Sequence, residues 1–60
     1  MTDTEKLEQI ARITAIHEDN AADDDGDKYL SQSGYAMEAI SAVLNDIDSP
    51  ILGQFIAAGA

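Results

Sequence analysis

The chain has 60 residues, twelve Asp and Glu against three Lys and Arg, a formal net charge of -9 and no cysteine. This balance repels nucleic acid and anionic membranes and attracts basic surfaces, and the missing cysteines exclude thiol chemistry, disulfides and thiolate metal sites. A chain this short forms one domain, here residues 1–60, that buries only about 60% of its unfolded surface; its 45% hydrophobic content argues against full disorder.

Thr2 and Glu5 have the spacing of a capping box, which predicts a first helix from Asp3 to about Glu18. Leu7, Ile10, Ile13 and Ile16 step by three, and Ala11 and Thr14 widen the apolar stripe to about half the circumference. His17, the one histidine, falls within that arc and reads as a packed or partly buried side chain. Glu8 and Arg12, four residues apart, are expected to pair on the solvent side.

Asp19 to Asp27 shows no apolar period, and its Asp and Gly residues favour turns, so an acidic loop is predicted. Tyr29 and Leu30 would anchor that loop to the core. A second helix is predicted from near Ser33 to about Ile47, with Met37, Ile40, Val43, Leu44 and Ile47 turned inward. Tyr35, Glu38, Ala42 and Asp46 would then fall on the outer side, available to a partner or simply solvated. Ser49 before Pro50 reads as an N-cap followed by a proline at the first helical position, with Asp48 adding favourable negative charge. Ile51, Leu52, Phe55 and Ile56 form the edge with which this third helix would close over the others. The expected fold is all-α, a small three-helix domain with an acidic loop between helices 1 and 2.

Six acids and no base lie between Glu18 and Asp27: Glu18, Asp19, Asp23, Asp24, Asp25 and Asp27. A calcium loop would need Gly26 at its sixth position, but that register places Ala21 at the first ligand position and Gln32 where a bidentate acid is required. No metal or other cofactor is therefore expected. No Ser, Cys or His constellation accompanies the carboxylates, and catalysis is not expected. Tyr35 combines apolar area with a polar tip, as contact residues often do, whereas Tyr29 reads as more buried beside Leu30. Direct nucleic-acid binding would require basic charge beside those rings.

The carboxylates from Glu18 to Asp27, joined by Glu38, Asp46 and Asp48 on a minimal cysteine-free chain, give a class resemblance. In size and charge the chain resembles phage-encoded acidic nucleic-acid mimics of the anti-CRISPR and anti-restriction type. The resemblance implies a noncatalytic inhibitor that sets carboxylates where DNA phosphates would lie, on the basic surface of a CRISPR effector or another DNA-binding complex. The expected contact set is Glu18, Asp19, Asp23, Asp24, Asp25, Asp27, Tyr35, Glu38, Asp46 and Asp48. The alternative is a small helical adaptor or antitoxin-like module that binds through apolar helix faces, a homodimer included. With no apolar run near the length of a membrane span and no leader-like opening, a soluble, cytoplasmic location is expected, in a host cell if phage-encoded.

Overall fold

The structure, a computed structural model, describes residues 1–59; Ala60, the last of the closing Ala-Gly-Ala residues, lies outside the described residues. Three helices follow in order, α1 Asp3–Ala22, α2 Ser33–Leu44 and α3 Pro50–Ala58. Among the described residues there is no strand. Lys6 near the start of α1 reaches the Leu44 carbonyl at the end of α2, and His17 reaches Leu30 just before α2 begins. Those contacts make α1 and α2 antiparallel. Gly59, at the end of α3, lies beside the Ile16 side chain of α1, so α3 returns alongside α1 in an up-down-up arrangement.

Local chemistry explains both helix starts that sequence predicts most sharply. Thr2 Oγ1 accepts from the Glu5 amide at 3.2 Å while the Thr2 amide donates to Glu5 Oε1 at 3.0 Å. The donated Thr2 backbone N–H, followed by the Thr2 side chain, holds the Glu5 carboxyl below its ordinary pKa. A depressed carboxylate pKa contributes stability at neutral pH that fades as pH falls through the folded-state titration. At α3, Ser49 Oγ accepts from the Leu52 amide and Pro50 opens the helix.

Both earlier helix ends differ from expectation. α1 continues past Glu18 to Ala22, because Asn20, Ala21 and Ala22 can remain helical and the Asn20 side-chain amide donates to the Ile16 carbonyl at 2.8 Å. Asp19, expected in the loop, consequently stands on helix beside Glu18. α2 stops at Leu44 instead of Ile47. The Ile47 amide donates to the Ala42 carbonyl at 2.9 Å and the Asp46 amide to that of Val43 at 3.4 Å. Asp46 between them has φ 53°. This is a Schellman stop with Asp in the left-handed position usually given to Gly.

The largest departure is the inward face of α2. Its buried residues are Ala36, Ala39, Ala42 and Val43, whereas Met37 is 70% exposed, Leu44 54% and Ile47 58%. Ala42 and the half-buried Tyr35, expected outside, turn inward. α2 is the middle helix and packs against both neighbours; small side chains let helix axes approach closely. On α1, Ile13 is buried and Ile10 and Ile16 pack partly, but Leu7 is 68% exposed. Phe55, Ile13 and Val43 are the largest fully enclosed side chains, with Leu30 sealing the loop end. Ile51 and Leu52 pack against this cluster, while Ile56 remains about half exposed. Glu8 and Arg12 do not pair. Among the described residues the one ion pair joins Lys6 to Asp46 at 3.2 Å.

A Cβ at Gly26 would lie 2.2 Å from the Asn20 carbonyl oxygen, whereas one at Gly53, inside α3, would meet open space. We expect Gly26→Ala to destabilise the fold by about 1–3 kcal/mol. Gly53→Ala should instead stabilise it by up to about 1 kcal/mol. Urea denaturation followed by circular dichroism measures both.

Candidate functional site

The acidic segment is an ordered turn system whose own carboxylates hold it. Asp23 Oδ1 accepts from the Asp25 amide at 3.0 Å, and the Gly26 amide closes back on the Asp23 carbonyl. Asp27 Oδ1 accepts from the amides of Tyr29 and Leu30 at 2.8 and 3.3 Å. Its own amide donates to Asn20 Oδ1 at 2.9 Å. Asn20 thus bonds both the last turn of α1 and the far side of the loop. Asp and Asn favour such local bonds in turns, where backbone amides lack helical partners. His17 Nδ1 donates to the Leu30 carbonyl at 2.9 Å and fixes the exit of the loop.

The six acids therefore divide by role. Asp23 and Asp27 spend an oxygen on the turn, whereas Asp24 and Asp25 are exposed and their carboxylates accept no hydrogen bond among the described residues. Glu18 and Asp19 are exposed on the neighbouring end of α1. No basic residue occupies the last turn of that helix, so its partial negative end adds to the same field. Among the described residues no three His, Cys, Asp or Glu side chains are grouped so as to hold a metal ion.

Tyr29, read from sequence as the more buried tyrosine, is the exposed one at 43%. Its neighbour Leu30 occupies the core position, and the ring instead lies edge-on against half-buried Tyr35, with centroids 5.2 Å apart and planes at 69°. Edge-to-face geometry sets the positive rim of one ring on the negative face of the other. The aromatic contact surface beside the loop consequently includes Tyr29 as well as Tyr35.

Glu38, Asp46 and Asp48 do not join the loop cluster. Asp46 lies at the Lys6 end of α1, while the loop lies at the Asn20 end, a separation of about 20 Å at the helical rise per residue. Lys6 partly neutralises Asp46 and also donates to the Leu44 carbonyl at 3.3 Å. Glu38 and Asp48 flank a shallow groove lined by Ser41, Ala42, Ile47, Ser49 and Pro50, between the end of α2 and the start of α3. The ten expected contact residues thus form a loop cluster with Tyr35 beside it, a partly neutralised Asp46 and a separate groove pair.

The sequence does not mark Asn20 and His17 as site-forming. The available signal for Asn20 was its placement beside Ala-Ala before a Gly-containing acidic run. The His17 contact crosses 13 residues, so only the fold brings its partner near. No protein-family model, characterised protein or solved structure matches the chain. Among the described residues, no helix is long and apolar enough to cross a membrane.

Asp27→Ala is expected to destabilise the protein by about 1–3 kcal/mol because the Tyr29 and Leu30 amides lose their acceptor. The double variant Asp24→Asn/Asp25→Asn should leave stability within about 0.5 kcal/mol of the parent or raise it by reducing repulsion. Thermal unfolding of both variants tests this division between turn-forming and displayed acids.

Proposed function

We propose that the protein is a noncatalytic inhibitor that occupies the basic nucleic-acid-binding surface of a partner complex, with a CRISPR effector as the target class implied by the resemblance. The observation that carries this reading is the display of Asp24 and Asp25 on a turn fixed by Asp23, Asp27 and Asn20. Glu18 and Asp19 extend the same negative surface. A fixed array loses less conformational entropy on binding than a mobile acidic tail would. Lys and Arg side chains that hold phosphates can accept carboxylates through the same charge-assisted bonds. The exposed Tyr29 adds contact area that salt does not screen.

On this reading the binding end is confined to Glu18, Asp19, Asp23, Asp24, Asp25 and Asp27 with the two tyrosines. Asp46 serves the Lys6 contact, and Glu38 and Asp48 belong to another surface. Association would be fast at low salt and slowed by added salt because oppositely charged surfaces steer encounter. A helical adaptor remains a second reading, favoured by one observation: Leu7, Met37 and Leu44 lie largely outside the core.

Affinity capture from a bacterial lysate containing a CRISPR effector, analysed by mass spectrometry, tests the proposal. The expected result is recovery of a nucleic-acid-binding complex that duplex DNA or moderate salt releases and that Asp24→Asn/Asp25→Asn fails to retain. Capture unchanged by DNA, salt and the double variant would contradict it.

A further inference from the structure

A second surface has its own chemistry. On α1, Gln9, Arg12, Ile13 and Ile16 line the cleft against Phe55, Ile56 and Gly59 at the C-terminal end of α3. At 100° per residue, Leu7, Ile10 and Thr14 centre on the flank of α1 opposite Arg12 and Ile16. On α2, Glu38 and Ala42 face the groove beside the start of α3. Met37, Ile40 and Leu44 centre on the flank opposite Ala42 by the same geometry. The antiparallel pairing of Lys6 with Leu44 and of His17 with Leu30 sets these two stripes side by side, away from α3.

This face has a floor and two apolar walls. Ile10 and Ile40 are half-buried against the core, while Leu7, Met37 and Leu44 are 68%, 70% and 54% exposed. Thr14 donates its hydroxyl to the Ile10 carbonyl at 2.9 Å, so its polar atom is already satisfied. Exposed apolar groups gathered on one face mark an interaction surface more strongly than scattered ones do.

Charge selects the occupant. Asp3 lies one turn before Leu7 and Glu18 one turn after Thr14 on the same flank, and both are exposed. None of the chain's three cations is placed to offset them: Lys6 is turned to Asp46 and the Leu44 carbonyl, Arg12 is on the α3 flank, and Lys28 is in the acidic loop. A second copy seated on this face would set acidic rims beside acidic rims. A partner helix with Lys or Arg near both ends would meet them with opposite charge.

We propose that the open α1/α2 face, Leu7, Ile10, Thr14, Met37, Ile40 and Leu44, binds a basic amphipathic helix of a partner protein. The helix presents apolar anchors at i, i+3 or i+4, and i+7. Its basic residues are about 15 positions apart, matching the roughly 22 Å between Asp3 and Glu18 along α1. The inference uses the open helix face, which shares only Glu18 with the acidic end, and does not depend on phosphate mimicry.

The test uses the full chain and a fluorescein-labelled synthetic helical peptide with a Leu stripe and Lys at both ends, followed by fluorescence anisotropy. A matched peptide with Glu in place of Lys is the charge control. The Lys peptide should bind, and Leu7→Ser/Met37→Ser/Leu44→Ser should weaken it at least about tenfold, a loss of about 1.4 kcal/mol. Circular dichroism should show unchanged helicity because all three side chains are exposed. Asp3→Asn/Glu18→Gln should weaken binding and reduce its salt dependence, Asp24→Asn/Asp25→Asn should leave it unchanged, and the Glu peptide should not bind. The proposal is overturned if the Lys peptide does not bind, if the triple Ser variant binds it equally, or if only the loop variant loses it. Sedimentation equilibrium showing a parent dimer that the triple Ser variant dissociates would also overturn it, because the occupant would be a second copy.

Discussion

The close packing of the alanine side of α2 between two helices is the constraint on which the remaining structure depends. Ala39 is fully enclosed, and Ala36, Ala42 and Val43 share its buried arc. With small residues at the contacts, α2 approaches both neighbours, and Phe55, Ile13 and Val43 supply the enclosed bulk. Turning this side inward leaves Met37 and Leu44 outside. Fully burying either side chain would be worth about 1.5–3 kcal/mol. That is a substantial fraction of the stability available to so small a domain, so the arrangement leaves a sizeable driving force to whatever covers the outer face.

Charge is organised around the same frame. Lys6 reaches back to the end of α2, where it meets the Leu44 carbonyl and the Asp46 carboxylate. It therefore serves the partial negative charge of a helix terminus as well as a side chain. At the other end of α1, Lys28 is the one base, and among the described residues it forms no ion pair with Glu18, Asp19 or the loop aspartates. Repulsion there is offset locally, because Asp23 and Asp27 accept backbone amides and Asn20 ties the loop to the helix. The acidic end and the apolar face meet at Glu18, and both favour basic partners.

Local signals made much of the architecture legible in the sequence. The Thr2–Glu5 box and the Ser49–Pro50 start are short-range chemistry that appears where expected. Leu30 occupies its expected core position, and His17 is partly buried as its place in the apolar arc implies. The inward face of α2 was legible only at Val43 and in part at Ile40, because Met37 and Leu44 repeat with a helical period just as Ala36 and Ala39 do. Hydrophobicity favours the larger set, whereas close packing between two neighbours selects the smaller. The end of α2 was hidden for a related reason: Asp46 takes the left-handed position without the glycine that ordinarily marks it. Of the proposed contact residues, the continuous acidic run was readable, but no spacing rule separates displayed Asp24 and Asp25 from turn-forming Asp23 and Asp27. The distance from that run to Asp46, and the pairing of Glu38 with Asp48 across a groove, arise only when the chain folds.

The most direct measurement is a solution NMR comparison of the Met37 methyl with the Val43 methyls in the isolated protein, using nuclear Overhauser contacts and a soluble paramagnetic agent. The account predicts Val43 contacts to the Phe55 ring or Ile13 with little paramagnetic broadening, together with strong broadening of Met37 and no contact from it to Phe55. Met37 protected from broadening and in contact with Phe55 would contradict it. That result would place the larger apolar arc of α2 in the core and remove the open face.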